Sequence, residues 1–377
     1  MTLSPRILLA DPDDGGHHRL FFNAFADALV DMGADVVAAA PFVDDVSPRV
    51  RDRIRLSASP MSRLKLGPLR TALHAARRWS DLEHAARGHR FDVVMLPMLD
   101  GYVDKLLPPS LPTALLGTPY TGLFFHAFDQ RFPEVRSRLG AHTSSLRGAG
   151  AIGVLDEGVA HELQRDTRRP VVAFPDFDPT PVARRGHPLV EHHRRGRGVV
   201  ALLGVLQRRK GVLDLLRAAA HARASEHDLL FVVGGHAALD TFSADERNEL
   251  LRHRQTPQPN VLWLPPLDDE AFQQAVVSAD VLWTAYNDFP SSSNLLTKAA
   301  RHHTPVIVRE GALMAERIRK HGFGVVVDDM SARHVVSAVR SAMHLGDIAD
   351  ACDVYAAEHN LERLAPALQS LLTSSLR

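Results

Sequence analysis

The sequence predicts an α/β protein made of two doubly wound, Rossmann-like domains that face a cleft. Short apolar, β-rich runs alternate with longer segments of helical periodicity, which is the pattern of βαβ units and a parallel sheet. The alternation continues through nearly all of the 377 residues, a length that suits two domains. A stretch rich in proline, glycine, arginine and histidine interrupts it near the middle and predicts a linker.

The predicted elements follow in order along the chain. Seven strands are predicted in the first half, at Ile7–Ala10, Asp35–Ala40, Phe91–Leu96, Thr113–Leu116, Leu123–His126, Ala151–Leu155 and Val171–Phe174. Six are predicted in the second half, at Val199–Leu203, Leu229–Val233, Val261–Leu264, Val281–Thr284, Pro305–Val308 and Gly324–Val327. The predicted domains are 1–178 and 198–350, joined by a linker at 179–197, and residues 351–377 form a helical segment expected to pack back on the first domain. Doubly wound sheets bind ligands at the carboxyl ends of their strands, so the site is expected in the cleft.

Composition excludes several classes of protein. The 44 basic residues balance 44 acidic ones, so no overall field attracts a nucleic acid. Cys352 is the single cysteine, which excludes an intrachain disulfide and a cysteine-based zinc or iron–sulfur site and suits a reducing cytoplasm. No apolar run is long enough to span a membrane. The segment 62–79 mixes cations with leucines, so a peripheral contact with the inner membrane face stays open beside the simpler alternative of a basic surface helix.

Three loops at predicted strand ends contain residues suited to binding an oxyanion or a sugar. Gly15 and Gly16 follow the first strand and open a helix, where glycine permits close approach of a ligand to the backbone. Arg208, Arg209 and Lys210 lie in the loop after the strand at 199–203, and such cations can neutralise a diphosphate. The structural alternative for Gly15 and Gly16 is a tight turn, and for the cationic loop it is a solvated basic loop without a ligand.

The third loop follows the strand at 281–284 and contains Ser291, Ser292, Ser293 and Asn294. These are favoured N-cap residues, and Leu295 begins the buried face of the next helix, so backbone amides near 293–295 are expected to point into the cleft. Small hydroxyls and unpaired amides suit a phosphate. A well-capped helix without a ligand is the alternative.

The order of these segments resembles the GT-B glycosyltransferases of the family-four, or group 1, type over almost the whole chain. Gly15-Gly16 looks like the family's glycine-rich loop, and Gly204 to Lys210-Gly211 resembles its "G-x-x-x-x-x-K-G" loop. The runs that begin at Asn260, Ala279, Thr304 and His321 resemble "N-V-x-F-x-G", "A-D-V", "G-x-P-V-I" and "G-x-G-x-x-V". The resemblance implies transfer of a sugar, with retention and without a metal or other cofactor, from a nucleotide sugar bound mainly by the second domain. The acceptor, a small molecule, a glycan or a lipid-linked group, would bind mainly to the first domain.

The resemblance also implies roles for individual residues. The donor diphosphate is expected to contact Gly15, Gly16, Arg208, Arg209, Lys210 and the helix start at Ser292, Ser293, Asn294 and Leu295. His126 ends a predicted strand where relatives often place a histidine near the reacting sugar, so it is the candidate catalytic residue. Lys298 and Glu316 are the candidate ribose or sugar contacts. The "D-x-D" at Asp176–Asp178 is not expected to bind a metal, because it lies at the predicted linker.

Three positions depart from the family pattern. Val205 occupies the position of an arginine, which leaves Arg208 or Arg209 as its substitute. Pro290 and Lys298 occupy the positions of two glutamates, and lysine offers hydrogen-bond donors but no acceptor for ribose. A weakly active or inactive nucleotide- or glycan-binding protein of the same fold is therefore an alternative, and a sugar-nucleotide epimerase is another.

Overall fold

The computed structural model describes residues 4–14, 18–56, 68–104, 106–125, 143–225, 228–256, 258–311 and 313–376. The chain divides into two compact units: unit 1 is Met1–Pro179 with Asn360–Arg377, and unit 2 is Thr180–His359. Each unit contains one parallel sheet flanked by helices. The predicted fold class, two Rossmann-like α/β domains, is confirmed.

Unit 1 is built on a seven-stranded parallel sheet in the order β3-β2-β1-β4-β5-β6-β7. Its strands are β1 Arg6–Ala10, β2 Asp35–Ala40, β3 Asp52–Arg55, β4 Val93–Leu96, β5 Tyr120–Phe124, β6 Ala151–Val154 and β7 Val171–Ala173. Its helices, numbered in chain order with those of unit 2, are α1 His18–Asp31, α2 Pro68–Ala86, α3 Leu111–Leu116, α4 Thr143–Leu146, α5 Glu157–Thr167 and α14 Leu364–Ser375. The strand order reverses between β1 and β4, so a crevice is expected at the carboxyl ends of these two strands.

Two elements of unit 1 differ from the sequence prediction. The predicted strand at Thr113–Leu116 is part of helix α3, because Pro112 suits the first helical turn and Gly117 ends the helix with a left-handed conformation at φ 63°. Strand β3 was not predicted. Its sequence Asp-Arg-Ile-Arg has little apolar character, which is tolerated because β3 lies at the edge of the sheet.

Unit 2 is built on a six-stranded parallel sheet in the order β10-β9-β8-β11-β12-β13, which reverses between β8 and β11. Its strands are β8 Gly198–Leu203, β9 Leu229–Gly234, β10 Val261–Leu264, β11 Val281–Thr284, β12 Val306–Arg309 and β13 Gly324–Val327. Its helices are α6 Pro188–Arg194, α7 Val212–Ser225, α8 Ala244–Gln255, α9 Asp269–Val277, α10 Leu295–Arg301, α11 Leu313–His321, α12 Ala332–Met343 and α13 Ala349–Glu358. All six strands overlap their predicted positions because each is an apolar run. The four inner strands are buried, whereas β10 and β13 at the edges are mostly only partly buried.

The segments at the predicted domain ends are packed into the units. In the stretch 179–197, helix α6 buries Val190 completely in the core of unit 2. Cys352 and Tyr355 on α13 are in that same core. Helix α14 packs in the core of unit 1 through Leu364, Leu368, Leu371 and Leu372. In the described part of the chain, no helix combines the length and apolar character needed to cross a membrane.

Candidate functional site

Two glycine turns shape the carboxyl edge of the unit 2 sheet. Gly204 follows β8 with φ 95°, and Gly235 follows β9 with φ 136°. A Cβ atom at Gly235 would lie 2.0 Å from the carbonyl oxygen of Gly204, so no other residue fits there without backbone movement. The amide of Gly204 also donates to the carbonyl of Gly234 at 2.9 Å. The two turns therefore meet backbone to backbone and hold the loop of residues 204–211 in place.

Lys210 lies directly over the first of these turns. Its Nζ donates to the carbonyl of Leu203, the last residue of β8, at 3.1 Å and would be 2.8 Å from a Cβ atom at Gly204. The indole Nε1 of Trp283 donates a hydrogen bond to the Lys210 carbonyl at 2.9 Å. The ammonium is thus fixed at the end of the strand where the sheet order reverses, which is where an open α/β sheet binds its ligand.

The two neighbouring arginines have different surroundings. Arg208 is exposed and its Nε donates to Glu246 Oε1 at 2.8 Å, so its charge is compensated. Arg209 is partly buried against the Phe289 ring, at 4.5 Å from the ring centroid, and burial lowers the pKa of its guanidinium. Its Nη1 is buried and has no hydrogen-bond partner among the described residues. Arg209 Nε donates to Gln207 Oε1 at 2.7 Å, so Nη1 is the part of this guanidinium that still needs an acceptor.

The segment after β11 is tied to this loop. The amide of Asn287 donates to the Arg209 carbonyl at 2.5 Å, and its side-chain Nδ2 donates to Asp214 at 3.1 Å. Asp288 adopts a left-handed conformation at φ 49°, which turns the chain so that Phe289 reaches Arg209. The strand end at 281–284 and the cationic loop therefore form one continuous corner of unit 2.

The serine segment enters helix α10 next to this corner. The Ser292 hydroxyl accepts from Nη1 of the buried Arg317 at 2.5 Å, and Arg317 also donates to the Tyr355 hydroxyl at 3.2 Å. The Ser293 hydroxyl accepts weakly from the Leu295 amide at 3.4 Å. Asn294 has helical backbone angles and its side chain makes no capping hydrogen bond. Asn294 therefore occupies the N-cap position without a side-chain cap, and Arg317 holds Ser292 two residues before it.

The two candidate ribose or sugar contacts are on different helices. Lys298, on α10, is 4 % exposed and its Nζ donates to the Thr180 hydroxyl at 2.7 Å. It also lies 5.8 Å from the centroid of the Phe272 ring. Glu316 is exposed on α11. Lys298 is therefore a buried, hydrogen-bonded cation, and a role for either residue toward a ligand stays a prediction.

In unit 1, a polar cluster lies at the carboxyl end of β1, where the sheet order reverses. The buried Asp11 carboxylate is 2.8 Å from Nδ1 of His18, the first residue of α1. Arg78, on α2, donates to both oxygens of Asp13 at 2.7 Å. Burial lowers the pKa of His18, but the hydrogen bond and charge of Asp11 and the charge of Asp13 outweigh it, so the pKa is raised overall. Burial raises the pKa of Asp11.

Some of the predicted site residues fall outside the described residues, and the two aspartates of the "D-x-D" are buried in unit 1. Gly15, Gly16 and His126 fall outside the described residues, as do residues 62–67 of the basic segment. Asp176 and Asp178 are buried in unit 1 on either side of Phe177, which packs against Phe21 and Phe25 of α1.

Sequence reasoning missed the Asp11–His18 pair, the Arg78–Asp13 pair and Arg317. The first had a local signal, because an aspartate ending an apolar strand and a histidine opening the next helix are brought together by any tight βα turn. Arg78 and Arg317 had no such signal. Arg78 is 65 residues from Asp13 and Arg317 is 25 residues from Ser292, so only the tertiary fold places them.

Comparison with known proteins relates the chain to glycosyltransferases. Residues 190–359 match the family model described as glycosyl transferases group 1. No curated protein sequence matches the chain. Similar solved structures include sucrose-phosphate synthase from Thermosynechococcus elongatus, with a TM-score of 0.70, 15 % identity and 98 % of both chains covered.

Two more structures show the same fold. HepE of Anabaena in complex with UDP-glucose has a TM-score of 0.68 and 12 % identity, covering 98 % of this chain and 100 % of that one. The N-terminal domain of Candida albicans trehalose-6-phosphate phosphatase has a TM-score of 0.68 and 12 % identity, covering 99 % and 97 %. At such identities these likenesses establish the fold over the whole length, while the family match covers the part that contains the Arg209–Lys210 corner. Residues 190–359 therefore match the group 1 glycosyl transferases, and the chain as a whole has the fold of these solved structures.

Proposed function

We propose that the protein transfers a sugar from a nucleotide-sugar donor, and that the donor diphosphate binds unit 2 at the Arg209–Lys210 corner. The observation that carries this proposal is the buried, unpartnered Nη1 of Arg209 beside the fixed Nζ of Lys210. A buried donor without an acceptor is costly, and a phosphate oxygen would satisfy it. Arg209 takes the part of the arginine that the family pattern places at the position of Val205.

Backbone amides at 293–295 would add contacts to the same diphosphate. Helix α10 is only seven residues long, so we assign these amides hydrogen bonding rather than a large dipole effect. Arg317 would keep the loop in shape through Ser292 without touching the ligand. The proposed ribose or sugar contacts of Lys298 and Glu316, and the contact of His126 with the reacting sugar, rest on the resemblance alone.

The proposed transfer proceeds with retention and without a metal. Retention follows from the resemblance. Metal independence has a physical argument as well, because two cationic side chains can neutralise the diphosphate that develops charge as it leaves. The HepE structure contains UDP-glucose, which makes uridine the first base to test. The acceptor would bind to unit 1.

The test is turnover of a panel of nucleotide sugars, beginning with UDP-glucose, against sugar and polyol acceptors. The product anomer is read by proton NMR, and each active pair is repeated with EDTA. We expect acceptor-dependent release of the nucleoside diphosphate, unchanged by EDTA, with the donor's anomeric configuration kept. An inverted product would contradict retention, and restoration of lost activity by magnesium or manganese would contradict metal independence. Conversion of the nucleotide sugar without any acceptor would indicate an epimerase, and binding without turnover an inactive protein.

A further inference from the structure

The polar cluster at the end of β1 has a different balance of charges from the cationic corner of unit 2. Asp11 and Asp13 supply two carboxylates against the single permanent cation Arg78, and His18 is charged only when protonated. Arg19 does not add an unpaired cation nearby, because it pairs with both Asp14 and Asp45 at 2.5 Å. A diphosphate placed here would meet a net negative surrounding, whereas a neutral hydroxyl group would not be repelled.

The Asp11 carboxylate fixes the orientation and the tautomer of His18. Because Asp11 is acceptor-only when ionised, the Nδ1 atom of His18 must carry the proton between them. In the neutral ring the opposite nitrogen, Nε2, is then a hydrogen-bond acceptor directed away from Asp11. The His18 side chain keeps 22 % of its surface exposed, compared with 1 % for Asp11, so the imidazole is the part of this pair that reaches a ligand.

Two further buried groups in the same cluster lack a partner. The Tyr102 hydroxyl and the Arg78 Nε are buried and have no hydrogen-bond partner among the described residues. Tyr102 is 1 % exposed and Arg78 is 8 % exposed, and the guanidinium carbon lies 5.8 Å from the centroid of the Tyr102 ring. Burial is the main cause that raises the pKa of the Tyr102 hydroxyl, and the negative charge of Asp11 is the next. The Tyr102 hydroxyl therefore lies in the field of the same carboxylate that contacts His18. Unsatisfied polar groups around one corner indicate a place for a polar ligand.

A metal ion fits this cluster less well than a hydroxyl group. Ligand atoms of Asp11, Asp13 and His18 lie within 4.8 Å of one another. However, a cation bound by all three would have to break the Asp11–His18 hydrogen bond, and the Arg78 guanidinium already occupies both oxygens of Asp13. The existing pairing therefore favours an uncharged ligand.

We propose that this corner of unit 1 binds a hydroxyl group of a sugar or similar polyol, which donates a hydrogen bond to Nε2 of His18. Asp11 is the positioning residue that holds the imidazole. The inference rests on the proposed function in taking the polyol to be the acceptor or the transferred sugar. It deepens that proposal by assigning the hydroxyl contact in unit 1 to His18, a residue that the family resemblance does not single out.

The first test is NMR of the full chain with 15N-labelled histidines, using D-glucose as the probe and His18→Gln to assign the His18 signals. We expect His18 to be the Nδ1–H tautomer above its pKa, and to titrate above 6.5. Its Nε2 signal should shift saturably as D-glucose is added. An Nε2–H tautomer, or no glucose-dependent change at His18, would overturn the proposal. Selective broadening of His18 by submillimolar Mn²⁺ would overturn it in favour of a cation site.

Two matched substitutions separate ligand binding from a structural role. Asparagine places its amide near the position of Nδ1 and can keep the contact with Asp11, whereas glutamine places its amide near Nε2. We expect His18→Asn to weaken glucose binding at least tenfold, measured by glucose-dependent thermal stabilisation, and His18→Gln to retain part of it. Full binding in His18→Asn with loss in His18→Gln would show that the pair is structural only.

UDP binding to the same samples keeps this inference distinct from the proposed function. UDP should bind wild type, His18→Asn and His18→Gln equally, because the diphosphate is assigned to unit 2. UDP binding without any glucose effect at His18 would overturn the inference and leave the donor site standing. A glucose effect at His18 without binding of UDP or another nucleoside diphosphate would support the inference while the proposed function failed.

Discussion

The exposure and hydrogen-bond partners of individual side chains in this protein depend more on their tertiary surroundings than on the residue type. Arg208 and Arg209 are adjacent in sequence, yet one is exposed and paired with Glu246 and the other is partly buried with an unpartnered N–H. The sequence could place both in a cationic loop but could not choose between them, because the choice depends on Glu246 and Phe289, which are 38 and 80 residues away from them respectively. The same limit applies to Ser292, whose partner Arg317 is known only from the fold.

His359 makes a residue-scale prediction about pH. Its ring packs against Tyr355 with 4.3 Å between centroids, and burial, together with the charge of Arg317, lowers its pKa to about 3. The unfolded chain therefore binds a proton that the folded chain does not bind between about pH 6.5 and 3, and stability falls as pH falls through that window.

We expect the free energy of unfolding to drop between pH 7 and pH 5 by about 2 kcal/mol more in wild type than in His359→Gln. Urea titrations of both proteins at the two pH values measure this difference. His253→Gln serves as the comparison variant, since burial also lowers the pKa of His253. Equal pH dependence in wild type and His359→Gln would contradict the buried, neutral state of His359.

Whole elements were easier to predict than side-chain partners. The strands of unit 2 are apolar runs, and the four inner ones are buried, so their apolar pattern was enough to find them. The failures have physical causes: β3 is a charged edge strand, and the apolar letters of 113–116 are equally consistent with the short helix α3. The α14 pattern predicted a helix, but only the fold shows how deeply its leucines enter unit 1.

Helix α14 gives the element-scale prediction. Leu368 and Leu371 are completely buried in the unit 1 core, whereas Leu376, just after the helix, is 46 % exposed. We expect Leu368→Ala or Leu371→Ala to destabilise unit 1 by about 2–5 kcal/mol, and Leu376→Ala to change its stability by less than about 0.5 kcal/mol. Fluorescence of Trp79 reports unit 1 if Trp263 and Trp283 of unit 2 are replaced by phenylalanine in every sample. Equal effects of the three substitutions would contradict the packing of α14.

At the scale of the molecule, the two units have different edges from those expected from sequence. Val190 on α6 and Tyr355 on α13 are completely buried in unit 2, and Arg194 is paired with Asp280. Helix α6 lies outside the predicted range 198–350, and all but the first two residues of α13 lie beyond it. The prolines and glycines of 179–197 predicted a linker, but the burial of Val190 and the pairing of Arg194 with Asp280 depend on residues that are distant in the chain.

We therefore expect residues 180–359 to fold as an isolated fragment and residues 198–350 to fail. Removal of α6 and α13 would expose the apolar surface that Val190, Cys352 and Tyr355 cover. Circular dichroism during urea unfolding should show a cooperative transition for the longer fragment alone. Equal cooperativity of the two fragments would show that α6 and α13 are dispensable for unit 2.

The central claim is that the Arg209–Lys210 corner binds the donor diphosphate, and calorimetric titration of the full chain with UDP, GDP and ADP tests it most directly. The proteins to compare are wild type, Arg209→Met, Lys210→Ala and the control Arg208→Ala. Charge-assisted hydrogen bonds contribute about 1.5–3 kcal/mol, so loss of Arg209 or Lys210 should weaken the preferred nucleotide by about tenfold or more. Arg208→Ala should change its affinity by less than about threefold, because that guanidinium is exposed and paired with Glu246. Binding that is unchanged in Arg209→Met and Lys210→Ala, or weakened only in Arg208→Ala, would contradict the account.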